Sequence, residues 1–589
     1  MPPISTKTDK PRNAKVAVKR IMTYFSQCRG MLVCAVLLAV AGNVLALIGP
    51  SLSGKAIDVI AMGQGNVDFY KVLYYAGLML IFYLVSAAMS YGLSVIMIKV
   101  ARSMSCRMRQ EVFDKLMRLP VSYFDKNQAG DIISRVSYDI DVINSSVATD
   151  VVQIISSLVT IIFSLVMMFV ISSKLIVVVF VTLPLAIIYT RYTGRKTRPL
   201  FYRRSLSYGR LNGYTEEMFS GYKTIRAYAN EEGVIDRFND INGQAADAYY
   251  DADYMATLMG PGVNFINNLS LALVAVVGSI LYLYNEITVG NISSFILYSR
   301  KFSGPINEIA NTFNEILSAL AASERVFRLL DEPEEEEDKE GAVAPENIEG
   351  DVEFRNVHFG YTPDKMVLTN VDLHAKPGQV IAIVGPTGAG KTTTISLLMR
   401  FYEINRGSIY LDGTEIHDIM RQSLRRAFTM VLQDTWIFNG TIRDNIAYAK
   451  EDATEEEIIE AAKAARLHKY IMTLPEGYDT VINGDGGNIS KGQKQLITIA
   501  RAMLDDSSLL ILDEATSNVD TRTEKEIQKA MLTLMKGKTC FVIAHRLSTI
   551  ENADLILVVD HGNIVEKGTH RELLDKKGTY YGMYSSQYR

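Results

Sequence analysis

Stretches of about 20 mainly apolar residues, the length that carries a helix across a bilayer core, recur through the first half of this 589-residue chain. Residues 31–48, 72–98, 151–171, 175–190 and 262–284 are clear spans, the fourth following the third after a short polar break. Residues 292–313 form a weaker sixth, because Arg300, Lys301, Asn307, Glu308 and Asn311 interrupt it. One such window alone reads as readily as a buried core helix. A series of them does not, so an all-α transmembrane domain of six helices is expected over 31–325, behind a short N-terminal segment, 1–30.

Basic residues beside the spans set the orientation. Lys7, Lys10, Arg12, Lys15, Lys19 and Arg20 precede the first span, placing the N-terminus in the cytoplasm. Lys99, Arg102, Arg107, Arg109, Lys115 and Arg118 follow the second, and Arg191, Arg195, Lys196, Arg198, Arg203 and Arg204 follow the fourth. Both segments belong inside, and without Gly/Pro-rich loop chemistry they read as helices continuing beyond the bilayer. The turn at 285–290 has no basic residue. An even number of spans then returns the C-terminal half to the cytoplasm, which supports counting the sixth. The first span lies far from the start and lacks a small-residue cleavage site, so it is expected to stay as an anchor in a cell membrane. Lys+Arg 61 against Asp+Glu 65 offers no global attraction for nucleic acid, which is excluded as a partner. Cys28, Cys34, Cys106 and Cys540 lack CxxC spacing, against a disulfide framework or zinc site.

Past the spans the composition changes. Residues 331–350 are acidic and carry Pro333 and Pro345, reading as a solvated tether within an acidic linker, 326–350. From 351 to 589, short β-branched runs alternate with helical stretches, and 380–384, 509–512 and 540–544 look like buried parallel strands of an α/β domain. The first of them runs into Gly385-Pro386-Thr387-Gly388-Ala389-Gly390-Lys391-Thr392, followed by a helical run from Thr393. That is GxxxxGK[ST] between strand and helix: glycines let the backbone approach phosphates, backbone N–H groups supply positive potential, Lys391 reaches the β and γ phosphates and the Thr392 hydroxyl can ligate Mg²⁺. The second strand ends in Asp513-Glu514. Paired carboxylates at a strand end are commonly solvent-facing; beside a phosphate loop the first suits Mg²⁺ and the second can orient a water as base. His545 closes the third strand, and alone would be an ordinary strand-end residue. Ser490 and Gln493 form an S-x-x-Q capping box before an amphipathic run, which capping alone would explain, although a helix N-terminus also holds anions.

Taken in order, Tyr361 in FGY, the phosphate loop, Gln433 in LQDTWIF, Ser490-Lys491-Gly492-Gln493, Asp513-Glu514, the run 517–520 and His545 make the chain resemble an ATP-binding cassette (ABC) exporter half-transporter over almost its whole length. The resemblance implies ATP and Mg²⁺ as cofactors, with Tyr361 stacking on adenine and Gln433 touching Mg²⁺ and the attacking water. It further implies Glu514 as catalytic base and His545 on the γ-phosphate. It also likens 123–131 and 221–231 to the two cytoplasmic coupling helices. Two such halves would sandwich two ATP molecules, and their closure would turn the membrane helices outward to export an amphipathic, drug-like, lipid or peptide substrate. An ATP-gated channel or membrane-bound regulatory ATPase is the alternative from another class. The lack of a peptidase domain before the first span weakens a processing-peptide exporter.

Two departures matter. Family signatures usually read LSGGQ, whereas Lys491 stands for the first glycine of the pair, and the segment 483–488 lacks the usual Glu-Arg-Gly element. In this the chain resembles the subunit of heterodimeric exporters that keeps its catalytic Glu, so a different partner chain is expected. Two polar features sit within the spans. Asn264, Asn267 and Asn268 share a face of the fifth span and either line a cavity or glue helices together, the second reading preferred. Arg300 is expected to face an aqueous cavity, with snorkelling the alternative.

Overall fold

The computed structural model describes residues 14–63, 65–345, 347–362, 364–432, 435–483, 489–513, 519–543 and 550–587. The chain forms two compact units, one of residues 1–118 with 127–333, the other of 119–126 with 334–589.

In the first unit the apolar windows lie inside far longer helices: Lys15–Ile60, Phe69–Arg118, Ala129–Ile171, Ser173–Ser220 and Glu231–Leu283, of 43 to 53 residues. At a rise of 1.5 Å per residue, a 50-residue helix measures about 75 Å against about 30 Å of bilayer core. Each therefore continues well past the membrane, with the basic segments on the extensions. Among the described residues these five are the helices long and apolar enough to cross. The sixth, Val289–Leu330, is a single helix of 42 residues, and the polar residues that break its apolarity keep it outside that group. It runs through 326–330, assigned above to the linker, with Val326, Phe327 and Leu329 buried.

The sixth helix is tied to the first by polar contacts. Tyr298 donates to the Leu47 carbonyl at 2.6 Å and Ser294 to that of Pro50 at 2.8 Å. Asp58 accepts from the Gly290 N–H at 2.7 Å and the Thr288 hydroxyl at 2.8 Å. The backbones come so close that a Cβ on Gly54 would lie 2.5 Å from the Gly290 oxygen, so only glycine fits.

The second unit contains a four-stranded sheet in the order β2-β1-β4-β5, made of β1 Val352–Phe359, β2 Leu368–Ala375, β4 Arg406–Leu411 and β5 Thr414–Glu415. A six-stranded sheet follows the order β12-β11-β3-β10-β9-β6, from β3 Val380–Val384, β6 Phe428–Val431, β9 Leu509–Asp513, β10 Thr539–Ile543, β11 Leu555–Asp560 and β12 Asn563–Gly568. The short β7 Gly440–Thr441 and β8 Val481–Ile482 pair separately. From β11 to β6 the large sheet is parallel, with β12 antiparallel at its edge. Both faces are covered: Leu510, Leu512 and Val542 enter one core, Leu509, Ile511 and Phe541 the other. Burial on two sides is why these strands read as unbroken apolar runs rather than alternating ones.

The acidic segment is largely exposed, but it is pinned to the cassette and not an unattached tether. Arg425 grips Glu335 with two hydrogen bonds of 3.0 and 2.5 Å. The Arg421 N–H donates to Asp338 at 3.0 Å, and Lys339 pairs with Asp418 at 2.7 Å. Val343 makes a parallel bridge with Ile419. A run of like charges lowers its own repulsion by lying against arginines, and those arginines stand 83 and 90 residues further on, where composition cannot pair them.

Candidate nucleotide site and transmembrane cavity

The phosphate loop leaves β3 and turns into the helix Lys391–Leu398. Gly388 has φ +83° with nothing within 4 Å of a built Cβ, so conformation and not space requires glycine there. Gly390, the helix N-cap at φ +106°, is additionally crowded by Leu368. Thr387 is exposed and Ala389 buried. Lys391 folds back across the loop and donates to the carbonyls of Gly385 at 2.8 Å and Pro386 at 3.0 Å. Burial lowers its pKa while the charge of Asp513 pushes it back up. The end of β9 is thus electrostatically in touch with the phosphate loop two strands away.

Thr392 is exposed at the helix start and Thr393 is buried, its hydroxyl 3.1 Å from that of Tyr361. The Tyr361 ring is half exposed and packed edge-on by Phe359 and Tyr402, each with centroids 5.0 Å away. Thr392 and Asp513 offer hard oxygen donors, a set that fits Mg²⁺ completed by phosphate oxygens and water. Gln433, Glu514 and His545 lie outside the described residues. The strands that lead to them, β6, β9 and β10, are consecutive neighbours and parallel to β3, so their C-terminal ends share one edge with the phosphate loop.

The signature residues sit at the start of the helix Lys491–Leu504, with Ser490 as N-cap. The capping box is present: Ser490 Oγ accepts from the Gln493 N–H at 3.3 Å, and Gln493 Oε1 accepts from the Ser490 N–H at 2.8 Å. Lys491 is exposed. Gly492 is buried against the helix Thr521–Leu534, where a Cβ would lie 2.4 Å from Thr523 Cγ2 and 2.9 Å from Val519 Cγ1. Both are stiff β-branched side chains. Gly492→Ala is therefore expected to destabilise the cassette by about 1–3 kcal/mol through overpacking, seen as a lowered unfolding temperature. Adding Thr523→Ser, which removes the nearest methyl, should recover most of the loss; no recovery would refute the packing role.

Of the sequence-derived coupling segments, the first, 123–131, overlaps the helix Val121–Lys126, which clusters with the cassette, while 127–131 belongs to the membrane unit. The Tyr402 hydroxyl donates to its Asp125. The second contains the helix Tyr222–Ala227, with Arg226 paired to Glu231 at 2.8 Å.

Within the membrane unit, a cavity of about 210 Å³ opens between the fourth and fifth spans and the helix Val289–Leu330. Val179, Leu183 and Ile187 give it apolar walls; Thr182, Asn267, Ser270 and Arg191 also line it. The Thr182 and Ser270 hydroxyls satisfy each other at 2.8 Å. Asn264 and Asn268 are exposed and do not line it, so the asparagine face is split and only Asn267 turns inward. Arg300 is exposed and does not line it either, whereas Arg191, read above only as an orientation signal, does.

Membrane-length helices joined to a phosphate-loop α/β domain define a nucleotide-driven membrane protein. The family model described as "ABC transporter transmembrane region" matches residues 32–306, and the one described as "ABC transporter" matches 368–517. A "Fatty acid ABC transporter ATP-binding/permease protein" of Mycobacterium bovis is 46% identical over 524 residues, covering 89% of this chain and 83% of that protein. An "ATP-dependent lipid A-core flippase" of Syntrophus aciditrophicus is 35% identical, covering 91% and 88%. Among solved structures, one titled "Structure of a bacterial Atm1-family ABC exporter with ATP bound" superposes with a TM-score of 0.74 at 28% identity, covering 95% of this chain and 98% of that one. The chain belongs to the ABC transporter family as an exporter half-transporter, an ATPase coupled to transport through fused membrane and ATP-binding domains.

Proposed function

We propose that this half-transporter exports lipid-like amphipaths carrying an anionic head, from a cell membrane in which the N-terminus and the cassette (351–589) face the cytoplasm. The observation that carries this reading is the cavity between the fourth and fifth spans and the helix Val289–Leu330, whose apolar walls suit an acyl chain and whose Arg191 and Asn267 suit a carboxylate or phosphate. Among the described residues no carboxylate pairs with Arg191, which leaves its charge for a ligand. The fatty-acid and lipid A names of two relatives agree in chemistry.

In this reading Lys391 and the phosphate-loop N–H groups hold the ATP phosphates, and Thr392, Gln433 and Asp513 hold Mg²⁺, which supplies neutralisation of phosphate charge. Glu514 takes a proton from the attacking water and His545 contacts the γ-phosphate. The partner is a second ABC half-transporter, a different chain, whose signature completes the site.

A charge-assisted hydrogen bond contributes about 1.5–3 kcal/mol. Arg191→Gln should therefore raise the concentration of dodecanoate that half-stimulates ATP hydrolysis by roughly ten-fold or more, and leave the response to dodecyltrimethylammonium unchanged. Equal shifts for both amphipaths would overturn the headgroup assignment, and failure of ATP-driven uphill uptake of any amphipath into proteoliposomes would overturn export itself.

A further inference from the structure

Arg400 and Arg421 are buried guanidinium groups on the cassette surface that carries Tyr402. A buried cation is costly unless it is paired and its N–H groups are satisfied. Glu403 is a countercharge that the two share, but it is already crowded. It accepts from Arg400 Nε at 3.0 Å and Arg421 Nη2 at 2.8 Å and lies 2.7 Å from His417 Nε2. Burial works to raise the Glu403 pKa, yet the His417 hydrogen bond and the Arg400 and Arg421 contacts hold it down to about 2. The remaining charge is met by the acidic segment that begins at Glu334. Asp338 receives the backbone N–H of Arg421 and sets its charge beside the Arg400 guanidinium, the Glu336 carbonyl receives the Arg421 guanidinium, and Glu335 receives the Arg425 fork beside Arg421.

Two buried donors, Arg400 Nη1 and Arg421 Nε, stay without a hydrogen bond. Each faces a carboxylate of the same segment just out of range, Asp338 at 3.5 Å and Glu335 at 3.8 Å.

The turn it holds is a junction. Arg425 also donates to the Met399 carbonyl at 3.3 Å and that of Arg400 at 3.1 Å, fixing the exit of the helix that starts at Lys391. Two residues on, Tyr402 donates to Asp125 and packs edge-on against Tyr361. The helix Val121–Lys126 is continuous in sequence with the second and third spans, and the acidic segment with the sixth.

We propose that residues 334–338 are a positioning element of the coupling joint: by neutralising Arg400, Arg421 and Arg425 they set the turn that presents Tyr402 to Asp125, so that displacement at the end of the sixth span reaches the same contact as movement of the phosphate-loop helix. This goes beyond the exporter assignment and does not depend on which substrate is carried.

The test uses the full complex in nanodiscs, with Cys28, Cys34 and Cys106 replaced by Ser and a spin label on a cysteine at Asn285, in the turn before the sixth helix. Two readouts are followed, ATP turnover and the nucleotide-driven change at the label. Glu335→Gln with Asp338→Asn should keep turnover within about two-fold and cut the change at 285 by about three-fold or more, on the scale of coupling between residues in one ion-pair network. Glu335→Arg and Arg425→Glu should each behave alike, and together restore the change. A neutralised variant with the whole nucleotide-driven change would overturn the proposal. So would a swapped pair no better than either single variant, or loss of turnover and of thermal stability in both, which would make the contact a folding requirement alone.

Discussion

Glu514→Gln should bind ATP much as the unaltered chain does and lose about 10²- to 10⁴-fold in hydrolysis, the contribution of a positioned general base. The position follows Asp513 directly, at the end of β9, and the charge of Asp513 is felt at Lys391 across β10. Gln fills the same volume and keeps a hydrogen-bonding oxygen but cannot take a proton at neutral pH, so the loss falls on the chemical step. Lys391→Ala should differ in kind. The ammonium that spans the Gly385 and Pro386 carbonyls is the loop's own cation, and its removal weakens nucleotide binding as well as the transition state. The pair is separated by measuring, in one complex whose partner site has been silenced, the ATP-induced rise in unfolding temperature and the steady-state rate. A retained rise with lost turnover is expected for Glu514→Gln, and both lost for Lys391→Ala. Undiminished hydrolysis by Glu514→Gln would remove Glu514 from the role of base.

The sequence disclosed what depends on short-range pattern. Three glycines at fixed spacing before a lysine have few structural solutions, and β3, β9 and β10 announced themselves as apolar runs because both faces of the sheet are covered. The membrane spans were visible for the same reason, a continuous environment imposing a continuous composition. What stayed hidden depends on partners distant in the chain. A string of glutamates reads as an unattached tether until Arg421 and Arg425 are found against Glu335. Asp125 lies 277 residues before the Tyr402 that binds it, and nothing local sets it apart from its neighbours. Arg191 looked like one basic residue among several, because the cavity that singles it out is built from three helices at once. Gly492 misled in another way: its place in a nucleotide motif concealed a packing requirement imposed by Thr523 and Val519.

That packing requirement bears on whether this chain pairs with itself. Retention of Ser490, Gly492 and Gln493 would ordinarily favour a homodimer with two working sites. Each of the three, however, has a reason to persist inside the chain, Ser490 and Gln493 in capping their own helix and Gly492 in clearing Thr523. Their survival therefore says nothing about catalysis, and Lys491 is the informative position. Its exposed side chain stands at the first residue of a helix whose N-terminal N–H groups and dipole would meet a phosphate; the charge would attract it, while the side-chain bulk would keep the backbone from close approach. The site that this signature forms with the partner's phosphate loop should bind ATP and turn it over slowly, and the site containing Lys391 should carry the hydrolysis. In the complex, Lys391→Ala should then abolish most of the ATPase activity, the equivalent lysine change in the partner should cost less than about two-fold, and Lys491→Gly should speed the slow site by about ten-fold or more, the range of a recovered transition-state contact. Expressing the chain alone is the decisive control: full ATPase activity and transport from a stable homodimer, or equal losses from the two lysine variants, would sink the asymmetric arrangement.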